Sequence, residues 1–168
     1  MASGGSRRPR LGLGLSLSLG LSLSWGWRAW GIRRSPWVYH LATGTCNNCD
    51  IELLDCLTPR YDLERFGIKL VGSPRHADVL MVTGMMNRKC LPRFIEICSQ
   101  IPKPYIIVAL GACGANKGIF HDSYNTLGPV ERVVREVLKE EIPVVNVPGC
   151  PPKPEAIILG VVKGLKQL

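Results

Sequence analysis

Acidic residues are missing from the first 34 positions, which hold six arginines: Arg7, Arg8, Arg10, Arg28, Arg33 and Arg34. This local imbalance accounts for most of the formal net charge of +8. The rest of the chain sets fifteen cations against all 13 acids and is close to neutral. It has no basic stripe interleaved with aromatics, so nucleic acid is not expected as a partner. A disulfide scaffold is absent as well. Seven cysteines is an odd number, and a 168-residue chain rich in core-type segments does not need staples. Thiol chemistry or metal binding in a reducing compartment is the expectation instead. A long apolar run is also lacking. The uncharged stretch from Leu11 to Trp27 is short for a membrane span and about half Gly or Ser. From Leu11 to Ser24 it alternates Leu with Gly or Ser, a period of two and not a helical stripe. Arg7-Arg8 ahead of it resembles a twin-arginine export signal, but a small-residue cleavage site does not follow. Residues 1–34 are therefore read as a low-complexity extension. Its Trp25, Trp27 and Trp30, beside Arg28, Arg33 and Arg34, would suit a membrane interface.

The body, residues 35–168, alternates two kinds of segment. Trp37–Ala42, Val79–Thr83, Tyr105–Leu110 and Val144–Val147 are short apolar runs, as strands are when both faces are covered. Helices are expected between them. Pro129–Glu141 places Val130, Val133, Val134, Val137 and Leu138 on one face. Glu131 with Arg135 and Arg132 with Glu136 form i, i+4 pairs on the other face. Pro92–Gln100 and Pro154–Leu165 each open on a proline. Ile51–Leu57 is a shorter helix, with Asp50 as its expected N-cap. The fold class is thus α/β with a mainly parallel sheet.

Three of the four strands run into a glycine followed by a cysteine: Gly44-Thr45-Cys46-Asn47-Asn48-Cys49, Gly111-Ala112-Cys113 and Gly149-Cys150. Ligands of open α/β sheets bind beyond the carboxyl ends of the strands. Parallel strands would bring these turns to one edge, where four thiolates are what a cubane cluster needs. C-x-x-C by itself also fits a redox dithiol or half a zinc site. A dithiol leaves Cys113 and Cys150 unexplained, and structural zinc usually takes two close pairs where this chain has one. Cys56 and Cys98 sit among apolar residues and read as buried hydrophobes, and Cys90 as a bystander.

The stretches "SPWVYHLATGTCNNCDIELLDCLTPRYDLERFGIKLVGSPRHADVLMVTG", "ALGACGANKGIFHDSY" and "VPGCPPKPEAIILG" carry a family resemblance. The body resembles the small, electron-transfer subunit of energy-converting, membrane-bound nickel-iron hydrogenases. That subunit is similar to the 20 kDa cluster-bearing subunit of respiratory complex I. The resemblance implies a flavodoxin-like domain with helices on both faces of the sheet. It implies one 4Fe-4S cluster on Cys46, Cys49, Cys113 and Cys150, and an electron-relay role with catalysis only in an assembled oxidoreductase complex. The implied partners are a nickel-iron large subunit, a ferredoxin-like two-cluster subunit and membrane ion-translocating subunits. The implied location is peripheral, at the cytoplasmic face of the cell membrane. The spacing Cys46-x-x-Cys49 matches the hydrogenase side, since the complex I subunit carries adjacent cysteines there. The alternatives are a quinone-reducing, complex I-like subunit and a zinc-stabilised structural subunit without redox function. Arg75-His76 are expected at a partner interface or in a solvated connection, and His121-Asp122 near the cluster or in a structural role.

Overall fold

The computed structural model describes residues 26–167. The Leu/Gly/Ser alternation and Arg7, Arg8 and Arg10 lie outside these residues. Five parallel strands form one sheet: β1 (Trp37–Ala42), β2 (Lys69–Leu70), β3 (Val79–Thr83), β5 (Ile106–Leu110) and β7 (Val144–Val147). Their order across the sheet is β2-β1-β3-β5-β7. Counting only these five in chain order, this is 2-1-3-4-5, the flavodoxin-like doubly wound order, whose switch point lies between β1 and β3. Register is continuous across the centre, from Val38 against Val79 to Thr83 against Leu110. A small antiparallel ribbon, β4 (Met86–Asn87) with β6 (Thr126–Gly128), stands beside the sheet.

The continuous apolar strands divide their residues between two cores with period two. Leu80, Val82, Ile107 and Ala109 join Phe94 and Ile97 of α3 (Leu91–Gln100) and Val130 and Val133 of α5 (Val130–Val133). Val79, Met81, Ile106 and Val108 join Leu53 of α2 (Asn48–Asp55) and Ile157 and Val161 of α6 (Pro154–Leu165). Helices thus cover both faces, which is why neither face of these strands carries a polar alternation.

The expected helix over Pro129–Glu141 is shorter and irregular. It continues as a π turn over Val134–Leu138 and stops at Lys139, which adopts a left-handed conformation. The wide turn rotates the residues beyond it. Val137, expected on the buried face, is 38% exposed, while Val130, Val133 and Val134 are buried. Both expected ion pairs form: Arg135 to Glu131 at 3.0 Å and Arg132 to Glu136 at 2.7 Å. A helix over residues 26–34, here α1, precedes the expected start of the domain at Ser35. It lies against the body: Ile32 is buried, and Arg28 bonds the Pro102 carbonyl and approaches Asp78 at 3.6 Å.

Candidate functional site

The site stands at the carboxyl end of the sheet. Beyond β1, the Thr43 N–H and hydroxyl both donate to the Thr83 carbonyl, and the Gly44 N–H donates to the Met85 carbonyl. These bonds hold the Cys46 loop against the end of β3. The Asn47 N–H donates to the Thr45 hydroxyl, and Asn47 takes a left-handed φ of 74° at the cap of α2. Asparagine tolerates that conformation better than most residues. The helix therefore starts at Asn48 and carries Cys49 into its first turn, buried.

Two further turns complete the edge. β5 passes directly into α4 (Gly111–Asn116), which carries Cys113. β7 is followed by Gly149 and Cys150, and the Ala112 N–H donates to the Gly149 carbonyl at 2.7 Å, tying these two turns together. Gly111 has φ +84°, and a Cβ built there would stand 2.7 Å from the Cys49 Sγ. Glycine at this position lets the Cys49 sulfur rest against the backbone. Gly118, at φ +53°, does the same for Cys113, whose Sγ would be 3.1 Å from an added Cβ.

All four sequence-selected cysteines meet here. Burial pushes the Cys49 thiol up to about 11, with further contributions from Cys46, Cys113, Asp50 and Cys150. Cys113 is raised by burial, then by Cys150 and Cys46. Each of the two inner thiols thus lies within electrostatic range of the outer ones. Cys46 and Cys150 are exposed, Cys113 is half-buried and Cys49 is buried. Among the described residues, no three His, Cys, Asp or Glu side chains are gathered to hold a single ion. A cubane does not require that, because each thiolate holds a different iron. Soft donors on three tethered turns, with glycine behind two of the sulfurs, suit such a cluster.

The remaining cysteines stand apart. Cys56 is fully buried in the α2/α6 core, with its Sγ 3.3 Å from the Glu52 carbonyl. Cys98 is buried in the α3/α5 core beside Tyr105. Burial pushes both thiols up to about 12. Cys90 precedes α3, its N–H bonded to the Asn87 side chain at 2.7 Å.

Asp50 is not the cap of α2. Asn47 takes that position, and Asp50 turns inward from the first turn, 7% exposed, to bond His40 Nε2 at 3.1 Å. The same nitrogen lies 3.0 Å from the hydroxyl of fully buried Thr83. This β1–α2–β3 cluster, joined to Cys49 through the adjacent Asp50, is not apparent from the sequence. Its only signal there is a polar residue inside each of two apolar strands. His121 and Asp122 pair with each other at 3.0 Å, both well exposed. Arg75 and His76 form a 3-10 turn at the opposite end of the sheet, where His76 meets the Trp37 ring edge-on at 6.3 Å.

Residues 46–164 match the family model described as NADH ubiquinone oxidoreductase, 20 Kd subunit. The probable membrane-bound hydrogenase subunit mbhJ of Pyrococcus furiosus is 52% identical over 138 residues, covering 82% of this chain and 78% of that protein. Formate hydrogenlyase subunit 7 of Escherichia coli is 43% identical over 138 residues, covering 82% of this chain, which spans about half (51%) of that relative. Among solved structures, a chain of the membrane-bound sulfane sulfur reductase, an archaeal respiratory membrane complex, matches with a TM-score of 0.67 and 35% identity, over 84% of this chain and 74% of that one. The chain therefore belongs to the family of the NADH ubiquinone oxidoreductase 20 Kd subunit, a family of oxidoreductase-complex subunits.

Proposed function

We propose that this chain is the electron-relay subunit of a membrane-bound, hydrogenase-type redox complex, holding one 4Fe-4S cluster on Cys46, Cys49, Cys113 and Cys150. The observation that carries this reading is the meeting of four thiols from three strand-end turns at one sheet edge, next to the switch point. When bound, the cluster supplies a one-electron carrier. The chain supplies the rest. Cys49 is the buried anchor, seated on Gly111. The bonds from Thr43 and Gly44 to the end of β3, and from Ala112 to Gly149, hold the three turns at fixed spacing. Fixed ligands limit the rearrangement that accompanies a change of charge. Burial, with the neighbouring thiols, raises Cys49 and Cys113, so these two residues would have to give up their protons to hold metal.

The partners follow the same reading: a nickel-iron large subunit, a ferredoxin-like two-cluster subunit and ion-translocating membrane subunits. Exposed Ile51 and Leu54 on α2, with Ile119 and Tyr124 after Cys113, give the cluster-bearing edge an apolar surface for the large subunit. Residues 1–34 serve as an extension of a 35–168 cluster-binding domain, attached through α1. The location is peripheral, on the cytoplasmic face of the membrane. Among the described residues, no helix is long and apolar enough to cross a bilayer.

The test is metal analysis of the complex purified without oxygen. About four irons and four acid-labile sulfides beyond those of the partner subunits, lost together with one paramagnetic signal when Cys150 is replaced by serine, are expected. Stoichiometric zinc on this chain, with iron and sulfide unchanged by that replacement, would overturn the reading. If the large partner lacks nickel ligands and turnover depends on quinone, the hydrogenase-type assignment yields to the quinone-reducing one, with the relay intact.

A further inference from the structure

The protein's four tryptophans all lie within residues 25–37. Trp37 opens β1, and α1 precedes it, so this is the opposite end of the sheet from the cysteines. Two of the tryptophans face solvent from α1. Trp27 is 76% exposed and Trp30 61% exposed. With Arg34 they follow i, i+3, i+7 spacing, one face of a helix, and the Arg34 guanidinium lies over the Trp30 ring at 5.7 Å. The other face is fixed to the body through Arg28 and buried Ile32. This docking settles which way the tryptophans point. Arg33 beside them rims, with Lys166, an apolar groove floored by Phe66, Ile158 and Val162. Nearby, Trp37 is 38% exposed, with Lys69 Nζ 5.8 Å from its ring centroid.

We infer that this end of the molecule seats on the surface of an anionic lipid bilayer, through Trp27, Trp30, Arg33 and Arg34. Tryptophan is an amphipathic ring suited to the headgroup region, and arginine pairs with lipid phosphates bidentately. A protein-binding patch of this size would be expected to shed charge at its centre. This one interleaves cations with aromatics, and residues 1–39 contain no acid. The acids near α1 include Asp78, tied to Arg28, and Glu140 and Glu141, which line a groove with Gly26 and Ala29 and of which Glu140 is paired with Lys103 at 2.6 Å; Glu64 stands next to Arg65 in sequence. β1 runs away from α1 toward Cys46, so the seated face leaves the cluster edge free for partner subunits. Lipid binding needs no iron, so this inference stands or falls apart from the cluster assignment.

The test measures partition of the full chain onto phosphatidylcholine vesicles with and without phosphatidylglycerol. Three versions are compared: wild type, Arg33→Ser with Arg34→Ser, and Trp27→Ala with Trp30→Ala. At about one headgroup attraction per cation, the arginine pair is expected to weaken binding to anionic vesicles roughly 20- to 30-fold and to leave neutral vesicles little changed. The tryptophan pair is expected to weaken binding to both. These side chains are exposed, so thermal unfolding should stay at the wild-type value. If a variant fails to fold, quenching of wild-type tryptophan fluorescence by brominated lipid reads the same contact. Absence of that quenching overturns the inference. So does wild-type affinity in both variants, which would assign binding to another segment. Loss of partner assembly in the variants with unchanged vesicle binding also overturns it, and would make the face a protein interface.

Discussion

Replacing Gly111 by alanine is the sharpest probe of the site, because it adds one carbon and removes nothing. Two costs arise. At φ +84° an L side chain is strained by roughly 1–2 kcal/mol. The new Cβ would stand 2.7 Å from the Cys49 Sγ, where ordinary contacts begin at 3.4 Å, so the sulfur must retreat by roughly 0.7 Å. Metal–ligand distances tolerate only about 0.2 Å. The displacement therefore exceeds the tolerance severalfold, and loss of metal should outrun loss of fold. For a chain of this length the backbone term lowers the melting temperature by about 2–8 °C. Cluster content, read as iron and sulfide per chain and as the reduced-state paramagnetic signal, should fall by more than half. Gly164→Ala is the control. Its Cβ would meet Ile106 Cδ1 at 2.5 Å, in the core and away from the thiols, so stability should drop while iron is retained. If Gly111→Ala keeps full iron and a wild-type signal, Cys49 does not hold the cluster in this geometry. If Gly164→Ala loses as much iron, metal content tracks global stability and the seat argument fails.

Serine at 46, 49, 113 or 150 should deplete iron and halt electron transfer through the complex, assayed by metal analysis and turnover. Cys56→Ser should keep its iron. Because the Glu52 carbonyl can accept from the new hydroxyl, its stability cost should sit near 1 kcal/mol, the low end for a buried hydroxyl, in urea denaturation. His40→Ala removes the partner of buried Asp50 and should cost about 1–3 kcal/mol, with His40→Gln milder because a donor remains. Cys56 and Cys98 give an alkaline signature. Their folded values, about 12, lie above the ordinary 9.0, so the unfolded chain releases these protons first. Their contribution is whole below about pH 9 and is lost as pH rises toward 12. Replacing both with alanine should flatten the fall in denaturant midpoint between neutral and alkaline pH.

The strands, most helices and the strand-end placement of the four cysteines were legible because each rests on a local rule. Val79–Thr83 and Val144–Val147 are bounded by turn residues and appear as strands at those limits. Pro154 opens α6 as prolines open helices. The cysteines were legible because a strand, a glycine and a thiol recur three times, and parallel pairing then sends all three to one edge. What escaped depended on neighbours distant in sequence. β2 and the β4–β6 ribbon are two- or three-residue pairings, which exist only because another strand supplies the hydrogen bonds. The end of α5 moved because a π turn changed its phase, which an ideal helical period does not describe. Asp50 looked like a helix cap from its place before Ile51. Its role was decided by His40, ten residues away, whose ring offers a buried carboxylate a partner, while Asn47 accepted the left-handed cap. Residue order thus determined which thiols follow the strand ends and which segments would be strands or helices, since these depend on side-chain chemistry and periodicity. Only the tertiary structure decided how closely the thiols meet, what stands behind each sulfur and which face of α1 meets solvent. Those depend on distances between segments that the chain brings together by packing.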